Sequence, residues 1–286
     1  MPDTIATFQL DRATMLPLAE QLAESFRTAE PFPHIVADGI FPEELLDAVL
    51  SEYPEPEDVP WESFSSPSEL KLALADTENM GPATRHLLAE LNGQVFVDFL
   101  ERLTGISGLI PDPHYDGGGL HQIRRDGYLK VHADFNRHSR LPLDRRLNVL
   151  LYLNRDWPED FGGHLELWDK TMTKCGAQVL PVFNRMVVFA TTDFAYHGHP
   201  DPLTCPPDRA RRSMALYYYS NGRPASEVSY THTTLFRARP DETIAQSRRW
   251  QDVAARWVPP ALFDAARRVQ DRVQARRQRP DGEDRP

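Results

Sequence analysis

The chain has 286 residues, 26% of them charged and 41% hydrophobic, and a formal net charge of −10. That composition fits a globular protein with a substantial core, and the acidic balance argues against a nucleic-acid-binding surface, which needs clustered Lys and Arg. No window approaches the ~18 continuous apolar residues of a membrane span. The two cysteines, Cys175 and Cys205, form neither a disulfide framework nor a zinc-ligand spacing. With no secretory signal visible at the start of the chain, a cytoplasmic protein is expected.

In chain order, Met15, Leu18, Leu22 and Phe26 recur at helical spacing and predict a helix over 13–27. Phe32-Pro-His-Ile-Val-Ala reads as a strand. Pro42 with Glu43 and Glu44 opens another helix. Residues 54–70, rich in Pro, Glu and Ser, read as an irregular loop. Leu87, Leu88, Leu91, Val95, Phe99 and Leu103 predict one amphipathic helix over 82–103, ended by Gly105. The chain divides into a helical support region at 1–117, a core at 118–221 and a loop-and-helix extension at 222–278. A surface helix is expected over 259–278 and a disordered tail over 279–286; the contrast of acidic tail and basic helix would suit a homodimer.

Across the core the apolar pattern changes to period two, short strands separated by turn residues, which predicts a β-sandwich or barrel. Leu147, Val149, Leu151 and Leu153 share one face, and Arg146, Asn148, Leu150 and Tyr152 the other. Leu165 and Leu167 oppose His164, Glu166 and Trp168. Arg211, Ser213, Ala215, Tyr217 and Tyr219 oppose Arg212, Met214, Leu216 and Tyr218. The aliphatic face is expected to pack on helices. The other is polar on core strands, which is costly unless it binds something.

Within that pattern His132 and Asp134 are two apart, so on a strand both can reach one metal ion. His197 supplies a second histidine; His199 competes for that place but precedes Pro200 in a turn. His121, His138 and His164 are weaker candidates. Two histidines and one carboxylate are the facial ligand set of non-haem Fe(II) sites. Arg211 and Ser213 share a strand face and suit a carboxylate, with Arg212 taking the role if the register slips by one. Tyr128, Tyr152 and Asn148 share the polar faces, as does Lys130, which either meets an anionic group or is turned out by a bulge.

These pieces together resemble the 2-oxoglutarate- and Fe(II)-dependent dioxygenases of the prolyl 4-hydroxylase-like group. The matching strings are Tyr128-x-x-x-His132-x-Asp134, Leu151-Tyr-Leu-Asn-Arg-Asp-Trp157, Gly162-Gly-His-Leu165, Phe189 followed by His197, and Arg211-x-Ser213. The resemblance implies a double-stranded β-helix (jelly-roll) of α+β class, with N-terminal helices packed on its major sheet. It implies iron on His132, Asp134 and His197, and 2-oxoglutarate chelating that iron with its distal carboxylate on Arg211. Tyr128 and Tyr152 match positions that contact 2-oxoglutarate; Ser213 and Asn148 are expected beside them. It implies O2 as oxidant, ascorbate as a supporting reductant, and succinate and CO2 as products. Asp134 fills the place that chloride takes in related halogenases, so hydroxylation of a peptidyl residue, proline among them, or of a small metabolite is expected. The competing reading is a jelly-roll that holds a metal for structure or sensing.

Overall fold

The computed structural model describes residues 8–228, 230–240 and 242. They belong to the first of two compact units, 1–244; the second, 245–286, lies outside the described residues, as do the helix and tail expected at 259–286. No described helix is long and apolar enough to cross a membrane.

Helix α1 (Arg12–Thr28) starts where the Asp11 carboxylate accepts from the Ala13 amide at 3.0 Å, and it buries Met15, Ala19 and Phe26. Strand β1 (His34–Asp38) and helix α2 (Glu43–Ser51) follow. Next come β2 (Glu62–Ser66), β3 (Glu69–Leu74), α3 (Pro82–Leu91) and α4 (Gln94–Thr104). Gly105, at φ 72°, ends α4 in the left-handed conformation that favours glycine. The remaining strands are β4 (Ile110–Pro111), β5 (Gly119–Arg124), β6 (Tyr128–Ala133), β7 (Asp144–Tyr152), β8 (Leu165–Trp168) and β9 (Cys175–Val179). They end with β10 (Arg185–Ala190), β11 (Tyr196–His199), β12 (Ala210–Ser220) and β13 (Leu235–Phe236).

The strands join in the order β1-β10-β7-β12-β5-β3-β6-β11-β8-β9, with β2 on β3, β4 on β12 and β13 on β6. Every pairing is antiparallel, and strands distant in sequence lie side by side, as in a jelly-roll. One face of the β10-β7-β12 sheet carries Leu147, Val149, Leu151, Met186, Val188, Met214 and Leu216. These pack against Leu46, Leu87, Leu88, Phe96 and Phe99 of the helices in one apolar core. Burying such side chains contributes about 1.5–3 kcal/mol each, and this layer fixes the sheet whose other face lines the interior.

Three local readings change. Residues 62–74 form the β2–β3 hairpin rather than loop: β2 is polar and mostly exposed, and β3 is recruited by tertiary partners, Leu72 opposite Gln122 and Leu70 opposite Tyr128. The helix expected over 82–103 is two helices, broken at Asn92-Gly93, a pair that disfavours continued helix. Leu165 and Leu167 do not face helices; they turn into the barrel against Tyr152, Val187 and Phe189.

Candidate active site

His132, near the end of β6, lies directly opposite His197 on β11, and Asp134 follows two residues on. Ligand atoms from all three lie within 4.8 Å of one another. His132 Nε2 is 3.5 Å from Asp134 Oδ1, and His197 Nε2 is 3.4 Å from Oδ2. Each Nδ1 faces a main-chain carbonyl: Lys130 O at 2.8 Å from His132, Ala195 O at 2.9 Å from His197. A carbonyl only accepts, so each Nδ1 carries the proton and each Nε2 keeps its lone pair toward the centre. Burial is the largest influence on His197 and lowers its pKa to about 4. Phe236 packs on His132 at 5.5 Å between ring centroids, and Phe189 on His197 at 4.6 Å.

Asp134 is held from one side. Asn148 Nδ2 donates to its Oδ2 at 2.6 Å and Arg145 Nη2 to the same oxygen at 3.1 Å. Arg145 also donates to Asn148 Oδ1 through Nε and Nη2, at 3.0 and 2.6 Å. Burial works to raise the Asp134 pKa, but Arg145, then His197 and His132, outweigh it and hold the carboxyl well below its ordinary value. Arg145 has no exposed surface, and its guanidinium lies 3.4 Å from the Tyr217 ring centroid and 4.4 Å from that of Phe135. Strand parity alone would put Arg145 on the helical face. A bulge prevents this: Tyr218 pairs with Leu147 but Tyr219 with Arg145, so Arg146 is the extra residue. Arg145 turns inward, and Arg146 bonds Ser220 and Glu227 instead.

At the other end of the same face lies Arg211. Tyr152, Ser213 and His121 form a row across β7, β12 and β5, with Arg211 two residues from Ser213. Arg211 is 4% exposed; its Nε donates to Gly163 O at 2.9 Å and its Nη2 to the Tyr152 hydroxyl at 3.1 Å. Both partners are neutral, and among the described residues no carboxylate pairs with this buried cation. Gly163, at φ +75°, permits the contact: a Cβ there would lie 2.9 Å from Arg211 Cδ. Arg212 faces the opposite way, to Glu55 at 2.8 Å, so the register does not slip. His199 is not in a turn; it ends β11, is 4% exposed, and neither ring nitrogen has a hydrogen-bond partner. Burial, then the nearby Arg211 and Lys71, hold its pKa well below the ordinary value. His121 is similarly lowered to about 3, by burial and then by Lys71, a residue of the hairpin absent from the sequence reading.

Other candidates lie elsewhere. The Tyr128 hydroxyl donates to Ser66 O at 3.0 Å, away from Arg211. Lys130 is bonded to Pro200 O at 2.9 Å and ion-paired with Glu242, outside the triad. Asn148 lies in the row of Tyr217, two residues from Leu150 and four from Tyr152, which gives it Asp134 as partner rather than the Arg211 end. His138 donates to Asp112 at 3.2 Å within the loop structure, and its Nδ1 accepts from the Arg140 amide at 3.0 Å.

Residues 118–219 match the model of the 2OG-Fe(II) oxygenase superfamily. The matched stretch holds His132, Asp134, His197 and Arg211. That superfamily is named for 2-oxoglutarate and Fe(II), and the His-Asp-His cluster of this chain has the donor set that Fe(II) takes. Among solved structures, a Pseudomonas putida prolyl-4-hydroxylase aligns with TM-score 0.52 and 16% identity, over 71% of this chain and all (100%) of that one. The α-ketoglutarate-dependent carbocyclase SnoK of nogalamycin biosynthesis aligns with TM-score 0.50 and 13% identity, over 74% of this chain and 87% of that one. At these identities the likeness is one of fold. No curated protein matches the chain by sequence.

Proposed function

We propose that this oxygenase hydroxylates a C–H bond of a peptidyl residue or small metabolite, with His132, Asp134 and His197 holding Fe(II) and Arg211 holding the distal carboxylate of 2-oxoglutarate. The observation that carries the reading is Arg211: a buried cation without an acidic partner among the described residues, on the same interior face as the triad. Such a charge is costly to bury alone, and a dicarboxylate chelating the metal would neutralise it. Bound iron with 2-oxoglutarate and O2 supplies the oxidation, leaving succinate and CO2.

The chain's own residues divide the remaining work. Lys130 O and Ala195 O orient the two imidazoles. Asn148 and Arg145 occupy Asp134 Oδ2, leaving Oδ1 to bind the metal through one oxygen. A carboxylate that binds through one oxygen, with two histidines, would leave room beside a bound metal for co-substrate and oxidant. Tyr152 accepts from Arg211 and keeps its own proton to donate to a carboxylate. Phe189 and Phe236 exclude water from the flanks of the imidazoles. Because Asp134 is a carboxylate rather than a small residue, hydroxylation is favoured over halogenation.

The test uses protein prepared without oxygen. Fe(II) and then 2-oxoglutarate are added, and a weak visible metal-to-ligand charge-transfer band is expected. Fe(II) binding without that band would overturn the co-substrate assignment and favour a structural or sensing metal site. With the band present, succinate release against panels of peptides and small metabolites decides the substrate class.

A further inference from the structure

Resting on the reading of Arg211 as the carboxylate-binding end, we infer that His199 is a further co-substrate-binding residue, donating a hydrogen bond to the distal carboxylate beside Arg211 and Tyr152. Three observations carry this. First, His199 is 4% exposed and both its ring nitrogens lack a partner among the described residues. An imidazole always has a donor or an acceptor to satisfy at each nitrogen, and leaving both unmet in the interior is unfavourable. The two metal-facing histidines differ, since each has its Nδ1 on a carbonyl.

Second, His199 adjoins the cation. It lines a small polar cavity of about 90 Å³ together with Gly162, Gly163 and Glu166, and Gly163 O is the acceptor of Arg211 Nε. Third, the pairing of β11 with β6 shifts register between His197 and His199, so that His199 lies opposite Leu129 rather than Lys130. The irregularity comes between the metal-facing histidine and His199, as a change of task from one end of the co-substrate to the other would need. Arg211, Tyr152 and His199 together offer a guanidinium, a hydroxyl and an imidazole to one anionic group, and the two oxygens of a carboxylate can accept from all of them.

The experiment measures binding rather than turnover. Anaerobic Fe(II)-loaded protein is titrated with 2-oxoglutarate, and in parallel with 2-oxopentanoate, which keeps the chelating oxo-acid end and lacks the distal carboxylate. His199→Phe should weaken 2-oxoglutarate about ten- to hundredfold, the range of a hydrogen bond to a charged group. It should leave Fe(II) affinity and 2-oxopentanoate affinity at parent values. His199→Gln or His199→Asn, which return an amide donor near one ring nitrogen or the other, should recover much of the loss. Equal 2-oxoglutarate affinity in the parent and in His199→Phe overturns the inference. So does an equal loss for both oxo acids, which would mark a structural role. Failure of the parent itself to bind 2-oxoglutarate instead overturns the reading of Arg211. Should the variants not fold, ¹⁵N-histidine-labelled parent loaded with Zn(II) gives the same answer. The His199 N–H resonance should move on adding 2-oxoglutarate and stay in place with 2-oxopentanoate; movement with both, or with neither, overturns the inference.

Discussion

Asn148 Nδ2 meets Asp134 Oδ2 at 2.6 Å inside the barrel, and the amide that makes this contact is itself held by the Arg145 guanidinium. The carboxylate therefore has one oxygen hydrogen-bonded to Asn148 and Arg145, while the other faces His132 Nε2 at 3.5 Å. Asn148→Ala removes the shorter contact and should weaken metal binding about 10-fold, the lower part of the range for groups that support a metal ligand. Anaerobic Mn(II) titration followed by electron paramagnetic resonance reads this directly, and unchanged affinity would show that Arg145 alone suffices.

Removing a metal-facing group has a blunter result. His132→Ala should abolish Fe(II) binding and succinate formation while the fold survives, because the apolar core lies on the other face of the sheet. Turnover near the parent level would sink the assignment of the triad.

The two adjacent arginines should behave differently. Arg211→Ala should raise the 2-oxoglutarate requirement about 30-fold or more, consistent with loss of a buried charge-assisted contact worth about 2 kcal/mol or above. Arg212→Ala should leave it unchanged, since Arg212 turns outward to Glu55. A shift for Arg212→Ala equal to that for Arg211→Ala would contradict the orientation of β12.

Gly163 gives a test of how Arg211 is placed. A Cβ there would come within 2.7 Å of Leu203 Cδ2 and 2.9 Å of Arg211 Cδ, at a φ of +75°. Gly163→Ala should displace the guanidinium and raise the apparent KM for 2-oxoglutarate more than it lowers kcat. An unchanged KM would mean that Arg211 tolerates the shift.

The metal-free protein should also be sensitive to mild acid. Burial lowers the His197 pKa to about 4, whereas an unfolded histidine titrates near 6.5. Between those values the unfolded chain binds more protons than the folded one, so stability rises with pH across that window and is lost as pH falls through it. His197 should contribute on the order of 2 kcal/mol to the loss from pH 7 to pH 4.5, with the buried His121 and His199 adding in the same direction, seen as a drop in Tm of several degrees. His197→Gln should make that profile shallower by its own share; a variant as steep as the parent would remove His197 from the effect.

Much of this arrangement was legible in the sequence, because period-two alternation separates the faces of β7 and β12 without knowledge of their partners. Met214 and Leu216 pack on the helices and Arg211 and Ser213 turn inward, as their parity requires. The hairpin at 62–74 was not legible. β2 has Phe64 as its one apolar residue, and β3 owes its place to β5 and β6, whose positions no local pattern encodes. Lys71, which comes from that hairpin, was missed with it. Arg145 was missed because parity assigns it to the helical side, and nothing in Asp-Arg-Arg-Leu-Asn announces an extra residue in the ladder. The break at Asn92-Gly93 did have a signal, a turn-forming dipeptide within an apolar pattern long enough to hide it.

The bulge at Arg146 lets β7 carry one extra residue without turning Arg145 away from the site. Deleting Arg146 would set Arg145 beside Leu147 and still opposite Tyr219, in regular pairing with β12. Arg145 would keep its place beside Asp134, and only the contacts of Arg146 with Ser220 and Glu227 would be lost. A deletion between Leu147 and Tyr152 has no such outlet and would exchange inside for outside. Relatives shorter by the bulged residue alone would therefore keep the charge beside the metal carboxylate.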